Sequence, residues 1–283
     1  LKMHSLVYQV KGALKGFYPD AEALALTKLV LVECLGFSDL ELYGGKDKEV
    51  FKKDLEVLSE IIGRLKNYEP IQYIIGTEWF GGLSFEVNES VLIPRPETLE
   101  LVEWIEEDLL GVEGCRLLDI GTGSGCIAIS LASRLKELQV EAWDISEKAL
   151  DTARKNADKN EVKVAFTQKD VLAVSPSEMA KYHVIVSNPP YITEKEKAEM
   201  EANVLDWEPS SALFVPDDDP LLFYRKIAEL GLASLNKGGA LYFEINRAYG
   251  QETLQMLKEM GYSRLELRKD LAGNERMIKA VKE

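Results

Sequence analysis

The chain has 283 residues, 46% hydrophobic and 29% charged, with a net charge of −14 at neutral pH. This length is enough for two domains, the composition excludes a disordered chain, and the acidic balance disfavours duplex DNA as a substrate while suiting a basic protein partner. No apolar run reaches the roughly 20 residues of a membrane span, no signal peptide is expected, and the three cysteines and two histidines lack zinc-ligand spacing. We therefore expect a cytoplasmic protein without a bound metal.

The first 75 residues predict a small bundle of helices. The stretch from Ala21 to Leu35 is rich in Ala, Leu and Val, and apolar residues at positions 51, 55, 58, 62 and 65 recur with a period close to 3.6. Glycines at Gly36 and at Gly44-Gly45 predict breaks between helices. Such a unit is either a packing module or a domain that docks the substrate, and its sequence leaves both interpretations open.

The remainder of the chain predicts a bridge followed by an α/β domain. Thr77 to Val87 resembles a β-hairpin with Gly81-Gly82 at its turn. From residue 116 onward strands and helices alternate, which predicts a parallel sheet with helices on both faces. The expected division is a helical substrate-docking domain over 1–75, a hairpin bridge and pocket segment over 76–98, and a catalytic domain over 99–283. Expected strands are 117–120, 140–144, 162–166, 184–187, 240–245, 263–268 and 277–281.

The first strand of this domain runs into a glycine loop, Gly121-Thr122-Gly123-Ser124-Gly125. Glycines allow sharp turns and close approach of a ligand to the backbone. The spacing is G-x-G-x-G, whereas a dinucleotide fingerprint needs glycine at position 126, where this chain has Cys126. Asp119, just before the loop, would repel a pyrophosphate but suits a cationic ligand. The loop therefore favours S-adenosylmethionine over NAD, the alternative occupant of such a turn.

Two further acids follow the next two predicted strands. Asp144 ends the second strand, where a carboxylate can take the ribose hydroxyls of a cofactor. Asp170 follows the third strand and can accept from an adenine amine, with Val171 packing beside the ring. Taken singly, each acid could equally be a turn former or a helix cap. The order of glycine loop, acid and acid favours the cofactor site.

The tetrapeptide Asn188-Pro189-Pro190-Tyr191 closes a strand that reads as buried. The Asn188 oxygen can accept one N–H of a planar amino group, and the Pro189 carbonyl can accept the other. Two prolines fix the backbone φ angles, which holds both acceptors in place. Tyr191 offers a flat face for the same group. We therefore predict Asn188, Pro189 and Tyr191 as catalytic, and all four residues as the binding site for a planar nitrogen.

Between Tyr191 and Leu221 the pattern becomes irregular and charged, apart from a short helix expected over 194–201. Long irregular loops beside the carboxyl edge of a sheet are often lids or substrate walls, although a plain surface excursion is the alternative.

Together these motifs resemble the release factor glutamine methyltransferases, the HemK/PrmC family of class I S-adenosylmethionine-dependent enzymes. Further segments carry the resemblance: Pro70 to Gly76, Leu92 to Thr98, Glu208 to Leu213 and Asp270 to Arg276. It implies a Rossmann-like, seven-stranded, mostly parallel sheet with one reversed strand near the end, and methylation of the glutamine in the Gly-Gly-Gln motif of peptide-chain release factors.

The resemblance also implies cofactor contacts and a monomeric enzyme. The cofactor site would comprise Asp119, Gly121, Thr122, Gly123, Ser124, Gly125, Asp144, Asp170, Val171 and Asn188. Many relatives have an aromatic residue where this chain has Val171, so apolar packing against the adenine is expected there. Arg95, Glu97 and Thr98 are expected to shape the pocket mouth.

Three alternative functions share parts of this pattern. An adenine methyltransferase uses the same tetrapeptide on a base flipped out of a nucleic acid. A glutamine methyltransferase could act on a ribosomal protein instead. A cofactor-binding regulatory protein would lack catalysis, which an intact Asn188 and Tyr191 disfavour.

Overall fold

The computed structural model describes residues 3–43 and 50–283, so the break expected at Gly44-Gly45 lies outside the described residues. Its α-helices are α1 (Met3–Leu14), α2 (Asp20–Leu29), α3 (Asp39–Tyr43), α4 (Lys52–Lys66), α5 (Ile71–Ile75), α6 (Pro96–Leu109), α7 (Cys126–Arg134), α8 (Glu147–Lys159), α9 (Ala202–Leu205), α10 (Ser210–Leu213), α11 (Leu222–Ser234) and α12 (Gly250–Glu259). A π-helical turn over Val30–Cys34 continues α2, and short 3₁₀ turns cover Pro176–Glu178 and Glu194–Glu199, the latter where a short helix was expected.

The strands are β1 (Thr77–Phe80), β2 (Leu83–Glu86), β3 (Arg116–Ile120), β4 (Gln139–Asp144), β5 (Ala165–Gln168), β6 (Tyr182–Ser187), β7 (Ile192–Thr193), β8 (Phe214–Val215), β9 (Leu235–Glu244), β10 (Ser263–Lys269) and β11 (Glu275–Val281). In the described residues, seven of them form one sheet in the order β10-β11-β9-β6-β3-β4-β5. The strands from β9 to β5 pair in parallel, whereas β11 runs antiparallel to both β9 and β10. The mostly parallel sheet with a reversed strand near the end is therefore confirmed.

The chain divides into two compact units. The helical unit comprises Leu1–Gly76 together with Glu201–Trp207, and the sheet unit comprises Thr77–Met200 and Glu208–Glu283. The expected domain division did not anticipate that residues 201–207 belong with the helices. Within the helical unit, the Trp207 indole donates to the Asn67 carbonyl at 3.0 Å, a bond between residues far apart in sequence.

The helical unit has its own apolar core, formed by α1, α2, α4 and α5. The buried face predicted for α4, with apolar residues at 51, 55, 58, 62 and 65, is only partly correct. Leu58 and Leu65 are buried, whereas Phe51 and Leu55 are 65% and 37% exposed. Ile61, one position from the expected residue 62, is buried in their place. Phe51 precedes the first turn of α4, where its backbone N–H donates to Asp54.

The sheet unit buries both faces of its sheet. Leu117 packs into the apolar cluster that includes α6 and α7, and its neighbour Leu118 packs into the cluster that includes α11 and α12. Alternate side chains of a strand point to opposite faces, which explains the continuous apolar run of β3. The carboxyl ends of β3, β4, β5 and β6 consequently lie along one edge, where open α/β sheets bind their ligands.

The strand expected at 162–166 begins later, at Ala165. The Val162 N–H donates to the Ala157 carbonyl at 3.0 Å, which ties this residue to the end of α8. Glu161 has a φ of 56°, which turns the chain sharply after the helix. Pairing with β4 can start only after that turn is complete. In the described residues, no helix combines the length and apolar character needed to span a membrane.

Candidate active site

A cavity of about 350 Å³ lies at the carboxyl edge of the sheet. Its lining has two sides that are distant in sequence. The cofactor side is formed by the glycine loop and the residues at the ends of β4 and β5. The acceptor side is formed by the loop after β6, the segment at the start of α6 and the segment around α10. On the cofactor side the lining residues are Gly121, Thr122, Gly123, Ser124, Trp143, Asp144, Lys169, Asp170, Val171 and Leu172; on the acceptor side they are Asn188, Pro189, Pro190, Ile93, Arg95, Thr98, Pro209, Ala212 and Phe214. The two motifs singled out in the sequence therefore meet in one cavity.

The glycine loop is fastened to β4 by its backbone. The N–H groups of Gly121 and Thr122 both donate to the Trp143 carbonyl, at 2.8 and 2.9 Å. Gly121 has a φ of 76°, in the left-handed region, where a side chain would be strained. Gly121 therefore adopts a backbone conformation that would cost other residues free energy, and it lines the cavity.

Gly125, unlike Gly121 and Gly123, does not line the cavity. It precedes α7 with a φ of 83°, and an added Cβ would lie 2.7 Å from the Cδ1 of Ile129. Its predicted place in the cofactor site is therefore indirect. It allows α7 to begin directly behind the loop and to pack closely there.

Asp119 lies behind the loop and is fully buried. One carboxylate oxygen accepts from the Thr122 hydroxyl at 2.7 Å, and the other has no partner within the described residues. Burial raises the pKa of Asp119 to about 7, with the Thr122 hydroxyl opposing the shift and the Asp144 charge adding to it. Asp119 does not line the cavity, so its predicted role next to the cofactor reduces to holding Thr122 and supplying a buried, titratable negative charge.

Asp144 and Asp170 both line the cavity, as expected. The Asp144 carboxylate accepts from the N–H groups of Gly123 and Ser146, at 2.8 and 2.9 Å. Burial raises the pKa of Asp144, and these N–H groups oppose the shift. The Asp170 carboxylate accepts from the Leu172 N–H at 2.9 Å. Each acid therefore shapes its own loop and also faces the space where a cofactor would bind.

Val171 lines the same end of the cavity, and the Lys169 ammonium lies 4.0 Å from the centre of the Trp143 ring. Lys169 was not predicted from the sequence. It directly precedes Asp170, and a lysine next to an aspartate is too common to indicate a binding site.

Asn188 and Pro189 form the floor of the acceptor side. In the part of the chain that the structure describes, the Asn188 side-chain amide has no hydrogen-bond partner, and the Pro189 carbonyl accepts none of the loop hydrogen bonds. Both residues line the cavity, and their acceptor oxygens are not engaged by other described residues. The preceding Ser187 is fully buried and donates to the Ile120 carbonyl at 2.6 Å, which fixes the start of the loop.

Tyr191 is placed differently from the sequence-based expectation. Its ring packs against the apolar cluster beneath β9 and does not line the cavity. Its hydroxyl donates to Glu244 at 3.3 Å, and its carbonyl accepts from the Asn246 side chain at 3.0 Å. The predicted contact of this ring with a planar group is not formed by this arrangement and stays a prediction.

The opposite wall comes from the segments before α6 and around α10. The Glu208 side chain is only 1% exposed, forms an ion pair with Arg95, and accepts from the Ile93 N–H at 3.0 Å. Among the three residues expected at the mouth, Arg95 and Thr98 line the cavity, whereas Glu97 does not. Pro209, Ala212 and Phe214 show that the irregular stretch after Tyr191 contributes a wall.

Four buried polar residues support the site without having been assigned a role from the sequence. Asn156 donates to the Ser124 carbonyl at 2.9 Å, Glu208 joins the walls, and Glu244 and Asn246 hold Tyr191. For Asn156 the sequence signal is a polar side chain on the apolar side of α8. That signal marks an internal hydrogen bond, but it does not reveal the partner.

The cofactor side matches S-adenosylmethionine in its chemistry. It presents carboxylates and backbone groups, and the buried Asp119 carboxylate retains an unpartnered oxygen. Carboxylates suit ribose hydroxyls and a cationic group, whereas the phosphates of a dinucleotide would be repelled. The residues present therefore fit this cofactor. Within the described residues, no group of three His, Cys, Asp or Glu side chains is arranged to hold a metal.

A seven-stranded sheet with a reversed strand, a glycine loop and an Asn-Pro-Pro-Tyr loop at its carboxyl edge defines a class I methyltransferase. Two family models match the chain, "Methyltransferase small domain" over residues 98–206 and "PrmC N-terminal domain" over residues 7–76. A methyltransferase structure from Pyrococcus furiosus superposes with a TM-score of 0.52 at 19% identity, covering 79% of this chain and 98% of that one, which shows the shared fold.

Curated relatives extend the similarity over the whole chain. The release factor glutamine methyltransferase of Bacteroides thetaiotaomicron is 49% identical over 98% of this chain and 99% of its own length. That of Flavobacterium psychrophilum is 45% identical over 96% of each chain. The chain belongs to the release factor glutamine methyltransferase family, and the predicted family and fold class are confirmed.

Proposed function

We propose that this enzyme transfers a methyl group from S-adenosylmethionine to the side-chain amide nitrogen of the glutamine in the Gly-Gly-Gln motif of peptide-chain release factors. The observation that carries the proposal is that Asn188 and Pro189, whose acceptor oxygens have no other partner among the described residues, line the same cavity as the glycine loop. Membership of the family supplies the substrate class. The enzyme would act on a protein, as a monomer in the cytoplasm, without binding DNA.

Asn188 and the Pro189 carbonyl would accept the two N–H groups of the glutamine amide. An amide nitrogen is a poor nucleophile because its lone pair is delocalised, so orientation and electrostatic stabilisation are the available sources of acceleration. Two fixed acceptors orient the nitrogen and favour positive charge developing on it. Pro189 and Pro190 restrict the backbone, so these acceptors are held in place before the substrate arrives.

When bound, S-adenosylmethionine would supply the electrophilic methyl group and carry away the electron pair of the bond that is broken. The proton on the methylated nitrogen would leave to solvent. The chain's contribution is positioning, with Asn188 and Pro189 at the nitrogen. No side chain is required as a general base before transfer, which agrees with the position of His183, a residue that does not line the cavity.

Cofactor binding would rest on the glycine loop and the acids beside it. Gly121, Thr122, Gly123 and Ser124 would lie against the cofactor, Asp144 would take the ribose hydroxyls, and Asp170 with Val171 would hold the adenine. Asp119 and Gly125 would act from behind the loop.

The experiment uses purified enzyme, methyl-labelled S-adenosylmethionine and three acceptors: a release factor, the same factor with its Gly-Gly-Gln glutamine replaced by alanine, and DNA containing adenine. We expect label on the intact factor alone. Equal label on both factors would refute glutamine as the acceptor. Label on DNA would favour the adenine methyltransferase, which shares the tetrapeptide.

A further inference from the structure

We propose that Glu244 and Asn246, at the carboxyl end of β9, are positioning residues that fix the catalytic loop through two atoms of Tyr191. The inference rests on the proposed function, because it assigns the geometry needed for transfer to residues outside the cavity. It also gives Tyr191 a role through its hydroxyl group instead of its ring face.

The catalytic loop leaves β6, which lies between β3 and β9 in the sheet. Its first anchor is on the β3 side, where the buried Ser187 hydroxyl donates to the Ile120 carbonyl at 2.6 Å. At its other end the loop continues into β7, which pairs with β8. The remaining neighbour of β6 in the sheet, β9, supplies a second anchor at Tyr191 itself.

The second anchor consists of two hydrogen bonds to Tyr191. The Asn246 side-chain nitrogen donates to the Tyr191 carbonyl at 3.0 Å, and the Tyr191 hydroxyl donates to Glu244 at 3.3 Å. Burial, with the nearby Glu244 charge, raises the pKa of Tyr191, so the hydroxyl keeps its proton and remains a donor. Tyr191 is thus held at both its backbone and its side chain.

The two prolines transmit this restraint to Asn188. Between Ser187 and Tyr191 stand Asn188, Pro189 and Pro190, and proline restricts its own φ and the conformation of the residue before it. Because both ends of this short segment are fixed, the Asn188 amide has little freedom to shift. Displacing Tyr191 should therefore displace both acceptors that orient the amide nitrogen.

The anchoring residues are themselves held firmly. Glu244 is buried and accepts from the Thr98 hydroxyl at 2.6 Å, so it fixes a cavity wall as well as the loop. Asn246 is also buried; its backbone N–H donates to the Tyr224 hydroxyl at 3.2 Å, and its side chain contacts the Glu196 carboxylate at 3.1 Å. Such a saturated network has one preferred geometry, as a positioning device requires.

Replacement of Tyr191 by phenylalanine separates the two possible roles. A ring that covers the substrate would be retained in Tyr191→Phe, whereas the bond to Glu244 would be lost. We expect kcat to fall about 10-fold, the cost of one hydrogen bond to a charged group. The KM for the release factor and the dissociation constant of S-adenosylmethionine should stay within about twofold, since the lost restraint acts on transfer.

The matched control is Tyr262→Phe. Tyr262 belongs to the same apolar cluster, is buried, and donates its hydroxyl to the Ala228 carbonyl at 2.8 Å, but it does not line the cavity. This variant loses the same atom from the same core. Its kcat should equal that of the parent enzyme, so a similar fall in both variants would indicate general loosening and would overturn the inference.

A double-mutant cycle tests the pair directly. Glu244→Met removes the acceptor while keeping most of the volume, and Glu244→Gln keeps an acceptor oxygen and should restore most of kcat. In the Glu244→Met background, Tyr191→Phe should cost less than about twofold, because the bond is already absent. A tenfold cost in both backgrounds would refute the pairing. If Glu244→Met does not fold, the comparison of Tyr191→Phe with Tyr262→Phe decides alone.

The outcomes also separate this inference from the proposed function. A parent enzyme that leaves the release factor unlabelled would overturn both. An active parent enzyme whose Tyr191→Phe variant retains full kcat would overturn the positioning role alone.

Discussion

The two sides of the cavity are held together in different ways. On the cofactor side, Thr122 bonds to Asp119 three residues away, and Gly123 bonds to Asp144 across 21 residues. On the acceptor side, Ile93 bonds to Glu208 across 115 residues, and Thr98 bonds to Glu244 across 146. One side is a nearly local structure, while the other exists only once distant segments have folded together.

This difference suggests a separation of tasks. A local loop can bind a cofactor in a geometry that its own glycines and acids determine. The acceptor side must instead receive a side chain of another protein, and its lining comes from three separate segments of the sheet unit. Substitutions on the two sides should therefore have different signatures, one in cofactor affinity and the other in transfer rate or substrate affinity.

The largest effect is expected for Asn188→Ala. Removing one of the two acceptors should lower kcat by about 100-fold or more, as for other residues that stabilise developing charge. Cofactor affinity, measured by calorimetry, should fall much less than kcat, because Asn188 is only one of the expected cofactor contacts and the glycine loop with its acids is untouched. A large loss of cofactor affinity instead would show that the two sides are not separable.

The next effect is expected for Asp144→Ala on the cofactor side. It removes the acceptor of the Gly123 N–H and a carboxylate facing the cavity, so S-adenosylmethionine should bind about 10- to 100-fold more weakly. At saturating cofactor the kcat should be nearly that of the parent. Asp151→Ala is the matched control, since this aspartate is exposed on α8. Equal losses in both variants would contradict the assignment of Asp144.

A smaller effect is expected for Glu208→Gln at the acceptor wall. This variant removes the negative charge of the Glu208 side chain, which is 1% exposed and forms an ion pair with Arg95. Breaking such a pair should lower the free energy of unfolding by about 3 kcal/mol. The KM for the release factor should rise several-fold with cofactor affinity unchanged.

The exposed pair of Glu147 with Arg154 provides the control for that variant, because Glu147→Gln should cost less than about 1 kcal/mol. Chemical denaturation and steady-state kinetics check both outcomes. A Glu208→Gln variant as stable as the parent would show that the walls are held by other contacts.

The last prediction concerns the pH dependence that Asp119 introduces. Its pKa of about 7 in the folded protein lies above the ordinary value of 3.8, so the folded state retains a proton that the unfolded chain has released. The free energy of unfolding should therefore fall as pH rises from about 4 to about 7, by at most about 1.4 kcal/mol per pH unit. Asp119→Asn should lose this slope, as measured by denaturation at several pH values.

The same titration should affect the cofactor. An ionised Asp119 attracts a cation, so the affinity for S-adenosylmethionine should increase several-fold as pH rises through 7. Asp119→Asn should abolish that increase. A parent enzyme with pH-independent affinity would show that the charge is too far from the cofactor to act on it.

The sequence by itself determined the alternation of strands and helices, the glycine loop and the Asn-Pro-Pro-Tyr loop after β6. Each of these features follows from residues that are adjacent in sequence: apolar runs of strand length, glycines where φ must be positive, and prolines after Asn188. It also placed Asp144 and Asp170 at strand ends, because parallel strands bring their carboxyl ends to one edge.

Only the tertiary structure decided which side chains face the cavity. Asp119 and Tyr191 stand in the expected motifs, yet one is buried behind the loop and the other packs under β9. The reason is physical: a motif fixes the local backbone, but the direction and partners of a side chain depend on residues such as Glu208, Glu244 and Asn246, which folding brings from far along the chain. Those long-range hydrogen bonds leave no local pattern, so the structure alone revealed them.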